Sequence, residues 1–417
     1  MKKTAKKTQS KIQNYEKLAM KRMNIVVAGN SFAGFTAAIE LKQLVGYDHE
    51  IIVIGRTPDF VFVPSLIWYP FGLRKEEDIM FDVRPPFYQR DIKFFEAEIV
   101  RFDPGNKQVW LHDEYLPYDY LVIATGSNPD YENIPGSGPG KFSHCICDLT
   151  CAREAKKAWK EYMGHGGPIV VAAAQGSAYF GSAYEFLFNA YYQLSTAGLS
   201  SDAPITFVTS EPFLGHLGIG GIANLREMGE RLFKQYKIDW ITNASIKEVL
   251  PAKVVLNDGT ELPSRYTLII PGFCGSDAVM NSAELGNETG FIETNDEYRH
   301  HDFPEIYAAG LSVDVEQPEE TEVLCNVPRT SYPTEMMAKT AAWNIYADIY
   351  GLEKKSLPFS DINAYSVLDA ANEGMMIIGD HMLSTRGLEM IIPGPQAHWA
   401  KVAHEKYFML SRSMGIV

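Results

Sequence analysis

The segment that most constrains the fold runs from residue 24 to residue 40. Its apolar start predicts a buried strand over 24–28, a small-residue turn follows from Gly29 to Gly34, and the apolar spacing after the turn predicts a helix. A strand, a tight turn and a helix N-terminus form a phosphate-binding cradle, because backbone N–H groups and the positive end of the helix dipole face the anion. The residues assigned to this cradle are Gly29, Ser31, Ala33 and Gly34.

This cradle departs from the usual dinucleotide fingerprint at two places. Residues 50–54 predict a second strand, which completes a βαβ unit. However, Ser31 replaces the middle glycine, and Gly55 and Arg56 stand where an acidic residue would accept the ribose hydroxyls. One degenerate fingerprint is weak evidence, so the interpretation depends on the rest of the chain.

Three later stretches repeat the pattern of a strand that runs into a glycine turn, over residues 118–126, 167–176 and 304–310. Four such turns in this order resemble the layout of flavoproteins with two dinucleotide-binding domains, in which the first domain holds FAD and is interrupted by the second. The resemblance implies an α/β fold with two Rossmann-like domains. The gaps in the first fingerprint then fit a divergent FAD site.

Further segments resemble the sulfide:quinone oxidoreductase family, which includes flavocytochrome c sulfide dehydrogenases and is related to type II NADH dehydrogenases. They are residues 58–65, 209–218, 327–332 and 400–408, and the resemblance runs from about residue 23 to the C-terminus. It implies bound FAD, electrons taken from sulfide or a related sulfur compound, and their delivery to a quinone or a protein acceptor through a membrane-facing C-terminal region.

The same resemblance implies domain boundaries and FAD contacts. We expect a basic arm over 1–22, a discontinuous FAD domain over 23–135 and 275–350, a degenerate second dinucleotide-binding-like domain over 136–274, and a C-terminal quinone or partner interface over 351–417. The expected cofactor-binding residues are Gly29, Ser31, Ala33, Gly34, Arg56, Pro64, Ala124, Thr125, Gly126, Gly310, Arg329, Thr330 and Lys401.

The second cradle is crowded by two aromatic residues. Tyr179 and Phe180 lie in its turn, where a pyrophosphate needs small residues, and this crowding should exclude NAD(P)H. Glu211 follows the next strand and is a candidate to hold a ribose, although Pro212 and Phe213 come directly after it. An NAD(P)H:acceptor flavoenzyme is therefore an alternative that the sequence disfavours.

Two cysteine positions of the family are changed in this chain. Sulfide-oxidising relatives use two cysteines beside the flavin, one of which forms a persulfide and attacks the ring. The resemblance places Tyr179 and Ser366 at these positions, and neither side chain can form a persulfide. Either the sulfur compound reacts without the paired cysteines, or the scaffold serves another reductant or acts as an electron-transferring subunit.

Five cysteines remain, and they do not form a disulfide framework for a chain of this size. Cys147 falls where some relatives attach FAD covalently, and a buried unreactive thiol is the alternative. Cys325 is a candidate redox residue and Cys274 is expected to be structural. For the group Cys145, Cys147 and Cys151, metal or redox use competes with simple burial, and no zinc site is expected.

Three residues are candidates for catalysis: His216, Lys401 and Cys325. His216 is either a proton relay near the flavin or a buried histidine with satisfied hydrogen bonds. Lys401 matches a family lysine near the flavin and the quinone, where a cation would stabilise the anionic reduced ring. Arg329 stands where relatives mostly carry lysine and is expected to do similar work.

The charge distribution limits the partners. The net charge is −14, yet residues 1–22 carry eight basic residues and one acidic residue, so the body of the chain is strongly acidic and nucleic acid is not expected as its partner. The arm is a solubilising tail, binds an anionic membrane surface, or lies on the acidic body of its own or a neighbouring subunit in a homo-oligomer. We expect no signal peptide and no spanning helix, and a cytoplasmic protein with an amphipathic run over 399–410 that offers peripheral membrane contact.

Overall fold

The computed structural model describes residues 22–417, so the predicted basic arm lies outside it except for Arg22. The strands of the described residues are β1 (Asn24–Ala28), β2 (Glu50–Gly55), β3 (Asp59–Val61), β4 (Met80–Asp82), β5 (Lys93–Glu96), β6 (Arg101–Asp103), β7 (Gln108–Leu111), β8 (Glu114–Pro117), β9 (Tyr120–Ile123), β10 (Ser127–Asp130), β11 (Ile169–Ala173), β12 (Ile205–Thr209), β13 (Asp239–Ile241), β14 (Ile246–Leu250), β15 (Lys253–Leu256), β16 (Glu261–Pro263), β17 (Tyr266–Ile270), β18 (Gly272–Gly275), β19 (Ile306–Ala308), β20 (Ala364–Ala370), β21 (Glu373–Gly379) and β22 (Glu389–Pro393). The α-helices are α1 (Phe32–Val45), α2 (Glu76–Ile79), α3 (Arg84–Tyr88), α4 (Leu149–Tyr162), α5 (Phe180–Thr196), α6 (Leu225–Tyr236), α7 (Asp277–Met280), α8 (Ser331–Tyr350) and α9 (Pro395–Ser413).

The first sheet has five parallel strands in the order β19-β9-β1-β2-β5. Its central strand β1 is buried from Ile25 onward, as expected for a parallel sheet with both faces covered. The predicted strands over 24–28 and 50–54 are confirmed. Because all the strands run in one direction, the turns that follow β1, β9 and β19 meet at one edge of the sheet.

Two glycines make the turn after β1 possible. Gly29 has a φ of 115°, and a Cβ atom there would lie 2.1 Å from the carbonyl oxygen of Ala124. A Cβ atom at Gly34 would lie 1.9 Å from the carbonyl oxygen of Gly29, so helix α1 packs directly on the backbone of the turn. Ser31 occupies the middle position, where its side chain is exposed and meets no such constraint.

A second parallel sheet has the order β13-β12-β11-β17, and an antiparallel pair, β10 with β18, connects the two halves of the chain. Helix α5 starts in the turn after β11 and covers this sheet, with Phe186 stacked on Tyr266. Two Rossmann-like sheets in the predicted order confirm the α/β fold class.

The C-terminal region is an antiparallel sheet, β20-β21-β22, with helix α9 packed against it. The phenyl ring of Phe408 in α9 lies 5.2 Å from that of Phe32 and 4.8 Å from that of Phe62. These contacts attach the C-terminal helix to the first residue of α1. Helix α9 therefore connects the C-terminal sheet to the first cradle.

Helix α9 buries charged residues and exposes large apolar ones. Lys401, Glu405 and Arg412 are buried, whereas Trp399, Tyr407, Leu410 and Met414 are exposed. The predicted amphipathic helix is present, and its inward face contains ion-paired charged residues as well as apolar ones. Among residues 22–417 no helix combines the length and the apolar character needed to cross a bilayer.

We predict that Gly34→Ala destabilises the protein strongly. The added methyl group would overlap the Gly29 carbonyl, which is backbone and cannot rotate away, so we expect a loss of about 3 kcal/mol of unfolding free energy. Urea unfolding followed by circular dichroism measures it. In the control, Gly105→Ala, the nearest atom to the new Cβ is 3.9 Å away, and its stability should stay near that of the wild type. Equal stability of both variants would contradict the close packing.

Candidate functional site

The structure brings the predicted first-cradle residues together at the edge of the first sheet. Ala28 pairs with Ile123, and Ile123 pairs with Ala308, so the turns that follow these three residues are adjacent. A Cβ atom at Gly310 would lie 3.1 Å from the Cβ atom of Ala33. The predicted residues Gly29, Ala33, Gly34, Ala124 and Gly310 therefore share one small region.

Two long helices start at this region without a built-in negative charge. Helix α1 begins after Ser31 and helix α8 begins after Thr330, and neither N-cap side chain makes a capping hydrogen bond. The first turn of each helix also lacks acidic residues. The positive end of each helix dipole is thus available to an external anion, such as a pyrophosphate.

The turn after β9 is held by hydroxyl groups. The Thr125 hydroxyl lies 2.8 Å from that of Ser276, and the Gly126 N–H donates to the hydroxyl oxygen of Ser312 at 2.9 Å. A Cβ atom at Gly126 would meet nothing within 4 Å. The turn is therefore fixed in position and has open space beside it, which suits a bound group.

Arg56 and Pro64 lie at different sides of this region. The Arg56 side chain is exposed just beyond the end of β2. Pro64 sits in a short turn whose next residue, Ser65, donates a hydrogen bond to Glu405 of α9 at 2.6 Å. Pro64 thus belongs to the junction between the first domain and the C-terminal helix. Their roles as FAD contacts stay predictions.

Arg329 is a buried cation with an unused donor. One of its terminal nitrogens donates to the carbonyl oxygen of Val313, its guanidinium lies 4.6 Å from the centre of the Phe291 ring, and its Nε atom has no partner among the described residues. Burial lowers the pKa of Arg329. A buried donor without an acceptor is costly, so it fits a bound group that supplies an acceptor atom.

Tyr179 is within electrostatic range of two of the predicted site residues. Burial raises the pKa of Tyr179, the positive charge of Arg329 lowers it, and Cys147 raises it further. The position predicted to replace a redox cysteine therefore interacts electrostatically with both the predicted flavin-side cation and the predicted attachment cysteine. The Tyr179 ring also packs edge-on against Phe273 at 5.1 Å.

Ser366 faces the same turn. It lies on β20 with Leu368, and residues two apart point to the same face of a strand. The Cδ2 atom of Leu368 would lie 3.0 Å from a Cβ atom at Gly181, which is two residues after Tyr179. The two positions predicted to replace the family cysteines thus face one region, and their assignment stays a prediction.

Lys401 forms a buried ion pair that the sequence did not reveal. Its ammonium group pairs with Glu185 of α5, and it lies 5.4 Å from the centre of the Trp68 ring. Glu185 also accepts the N–H of Asp369 at 2.8 Å. Burial raises the pKa of Glu185 to about 7, although the charge of Lys401 acts in the opposite direction.

Asp369 extends this pair into a network. Its carboxylate accepts hydrogen bonds from Trp68 at 2.7 Å and Asn189 at 3.1 Å, and it pairs with His398 at 2.6 Å. Sequence reasoning missed Glu185, Asp369 and His398. One signal was available, because Glu185 is the only charged residue of the otherwise uncharged helix Phe180–Thr196.

The second cradle is closed by the chain itself. The Gly176 N–H donates to the carbonyl oxygen of Leu324 at 2.8 Å, and the Asn326 side chain donates to the carbonyl oxygen of Gly176 at 2.8 Å. The N–H of Gly176 is therefore unavailable to a phosphate. This closure adds to the crowding by Tyr179 and Phe180 that the sequence predicts.

Glu211 is occupied in the same way. One oxygen of its carboxylate accepts the N–H of Leu217 at 2.7 Å, and the other accepts the hydroxyls of Tyr184 and Thr209, both at 2.8 Å. It is fully buried, and burial raises its pKa to about 7. Glu211 is thus a structural group of the second domain and is not free to hold a ribose.

His216 lies in this second domain, and Cys325 packs against it. The Nδ1 atom of His216 accepts the N–H of Gly218 at 3.2 Å, so Nε2 carries the proton and donates to Glu319 at 2.8 Å. Cys325 is buried beside Ser210, with 3.4 Å between sulfur and hydroxyl oxygen, and burial raises its pKa to about 11. Both side chains have satisfied local partners, and their catalytic roles stay predictions.

The remaining predicted residues are placed as follows. Cys147 is partly exposed, and Cys274 lies on β18, where its thiol points to the carbonyl oxygen of Asn128 at 3.7 Å. Within residues 22–417 no group of three or more His, Cys, Asp or Glu side chains is arranged to hold a metal ion.

Comparison with known proteins gives the family. The model for the pyridine nucleotide-disulphide oxidoreductases matches residues 23–323. The chain is 32% identical to a sulfide-quinone reductase of Aquifex aeolicus over 393 residues, which are 93% of this chain and 90% of that protein. The chain belongs to the sulfide:quinone oxidoreductase family. It is a divergent member of this flavoprotein family. The assignment of Tyr179 and Ser366 to the positions of two redox cysteines stays a prediction.

Solved structures agree with this assignment to the sulfide:quinone oxidoreductases. The crystal structure of the sulfide:quinone oxidoreductase from Aquifex aeolicus superposes with a TM-score of 0.90 at 30% identity, and covers 94% of this chain and 92% of that one. A structure of NDH2 from Plasmodium falciparum in complex with NADH gives a TM-score of 0.70 at 12% identity, with 94% of this chain and 98% of that chain covered. The second similarity shows the fold alone.

We predict that Glu211 makes stability depend on pH. Its folded pKa of about 7 exceeds its ordinary value, so its contribution is complete below about pH 4.5 and is lost as pH rises through about 7, a change of about 3 kcal/mol. Glu211→Gln has no proton to lose. The stability advantage of the wild type over this variant should therefore shrink between about pH 5 and about pH 8, as measured by urea unfolding. The exposed Glu227→Gln is the control, and a pH-independent advantage would refute the assignment.

Proposed function

We propose that this protein binds FAD at the edge of the first sheet and passes electrons from a sulfur compound to a quinone or a protein acceptor. The observation that carries the proposal is the contrast between the two cradles. Helix ends without a side-chain cap occur at both cradles. The first has small residues at its turns, whereas the turn of the second carries Tyr179 and Phe180 and is bonded to residues 324–326. The residues proposed to hold FAD are Gly29, Ser31, Ala33, Gly34, Arg56, Pro64, Ala124, Thr125, Gly126, Gly310, Arg329, Thr330 and Lys401.

Two cations are proposed to act on the cofactor. FAD supplies the two-electron chemistry that lets a sulfur donor reduce a separate acceptor. Arg329 keeps an unpaired donor in a buried place, and Lys401 is held by Glu185. A preorganised positive charge in a dry site stabilises negative charge that develops during reaction. Because the pKa of Glu185 lies at about 7, this carboxyl group is poised to hold a proton near neutral pH.

The sulfur compound is proposed to react without the paired cysteines of its relatives. Tyr179 fills one of these positions with a half-buried ring, and Ser366 offers only a hydroxyl at the other. A specific alternative rests on the same two residues. A scaffold that has lost both sulfur nucleophiles would suit an electron-transferring subunit or a flavoprotein for another reductant.

The acceptor is proposed to approach from the C-terminal region. The exposed side of α9 presents Trp399, Tyr407, Leu410 and Met414, a set typical of helices that lie in a membrane interface. Peripheral binding there would bring a quinone to the C-terminal region, 351–417. We keep the predicted division into an FAD domain, a second domain and this interface as part of the proposal.

Anaerobic titration of the purified flavoprotein distinguishes the three functions. We expect sodium sulfide or a polysulfide to bleach the flavin absorbance and NADH to leave it unchanged, because the second cradle is closed. Bleaching by NADH alone would support an NAD(P)H:acceptor flavoenzyme. If neither reductant acted while dithionite still did, an electron-transferring subunit would be favoured.

We also predict that Tyr179→Cys combined with Ser366→Cys speeds flavin reduction by sulfide at least tenfold. The two positions look toward one region, so the new thiols would restore the sulfur nucleophiles of the family. Stopped-flow absorbance measures the rate. The matched control combines Tyr179→Cys with Tyr365→Cys, because residue 365 points to the opposite face of β20. An equal gain in both double variants would show that the positions are wrongly assigned.

A further inference from the structure

Three cysteines converge at the start of helix α4. His144 forms a parallel bridge with Leu268, so the chain is extended directly before Cys145 and then bends at Cys147. Asp148 then caps α4 by accepting the N–H of Cys151 at 2.8 Å. An extended approach followed by a helical turn brings the third cysteine back to the first.

The contacts between these side chains are direct. The hydroxyl of Tyr131 lies 2.7 Å from the sulfur of Cys145 and 3.6 Å from that of Cys151. The Cys151 thiol donates to the Asp148 carboxylate at 3.3 Å, and Cys147 is two residues from Cys145 in the chain. Cys145 therefore neighbours Cys147 in the chain and Cys151 across the Tyr131 hydroxyl.

The three cysteines of the cluster differ in solvent exposure. Cys145 and Cys151 are 2% and 3% exposed, whereas Cys147 is partly exposed. Cys147 also acts electrostatically on Tyr179, which is proposed to stand at a redox-cysteine position. One accessible thiol backed by a buried thiol within reach is the arrangement needed to accept a sulfur atom and then form a disulfide.

We propose that Cys147 and Cys145 form a redox-active pair that accepts the outer sulfur of a low-molecular-weight persulfide or polysulfide. This site lies outside the two family cysteine positions. The choice of a sulfur substrate rests on the proposed function, whereas the dithiol chemistry rests on the cysteine geometry alone. Tyr131 and Cys151 position Cys145.

The reaction balances in two steps. The Cys147 thiolate attacks the outer sulfur of the persulfide RS–SH, forms Cys147–S–SH and releases the thiolate RS⁻ as the original S–S bond breaks. The Cys145 thiol then attacks the Cys147 sulfur, forms the Cys145–Cys147 disulfide and releases hydrogen sulfide with the Cys145 proton. Two cysteine thiols are oxidised, and the transferred sulfur is reduced to sulfide.

Access and protonation explain the order of these steps. The Cys147 thiol and burial raise the pKa of Cys145, and the Cys145 thiol and burial raise the pKa of Cys151, so both stay protonated at neutral pH. Cys147 attacks first because it is the accessible thiol. Cys145 follows once sulfur is loaded, and its own proton leaves with the product.

The test uses the full-length flavoprotein, prepared anaerobically and treated with sodium tetrasulfide. Free thiols are then alkylated, and the tryptic peptide 142–153, which contains all three cysteines, is analysed by mass spectrometry. We expect this peptide to lose two alkylation sites and gain an internal bond between Cys145 and Cys147, with about one equivalent of hydrogen sulfide released per chain.

Variants separate this pair from general thiol oxidation. Cys145→Ser should trap the added sulfur on Cys147 without a disulfide, whereas Cys151→Ser should still form the Cys145–Cys147 bond. Cys274→Ser lies on β18 and should behave like the wild type. The Cys151 variant keeps the test decisive if Cys145→Ser does not fold.

Three outcomes would overturn the proposal: no disulfide in the wild type, a disulfide that persists in Cys145→Ser, or flavin bonded covalently to Cys147 in the same peptide. The readout is independent of flavin reduction. If the disulfide forms in a protein whose flavin absorbance is not bleached by sulfide, the result would support the cysteine pair and count against the proposed function.

Discussion

The contact on which the rest of the structure depends is between backbone atoms. Gly34 of α1 rests on the carbonyl of Gly29, and Gly29 itself rests on the carbonyl of Ala124. These contacts set the distance between α1, β1 and β9, and so they place the open helix ends beside the glycine turns. A side chain at either glycine would push the helix away. Ser31 is tolerated at the middle position because no close backbone contact restricts a side chain there.

The second half of the molecule uses the same architecture for another purpose. Where the first cradle leaves backbone groups open, the second bonds them to residues 324–326, and Glu211 is enclosed by three donors. The second dinucleotide-binding-like domain thus has a structural role and supports the site of the first domain. Burial raises the pKa of Glu185 and of Glu211 to about 7, so the protonation state of these two carboxyl groups changes in the physiological pH range.

The sequence predicted the fold and the first cradle because both depend on local patterns. Strands that end in glycine turns can be recognised at each turn, and the crowding at Tyr179 is visible in the chain itself. The partners of Lys401 could not be found in this way, since Glu185 lies 216 positions away and only packing joins them. The closure over Gly176 was hidden for the same reason, because it comes from a loop after β19 that has no motif of its own.

The buried charged side chains of helix α9 form ion pairs with three separate parts of the chain. Lys401 pairs with Glu185 in α5, Glu405 with Arg74, and Arg412 with Glu335 in α8. Rotation of the helix about its axis would break all three ion pairs and leave buried charges without partners. These pairs therefore fix the rotation of the helix. The apolar strip on its outer side is consequently displayed whether or not a membrane is present. In buffer without detergent, this exposed apolar surface should promote association between protein molecules. Detergent or lipid should keep them dispersed.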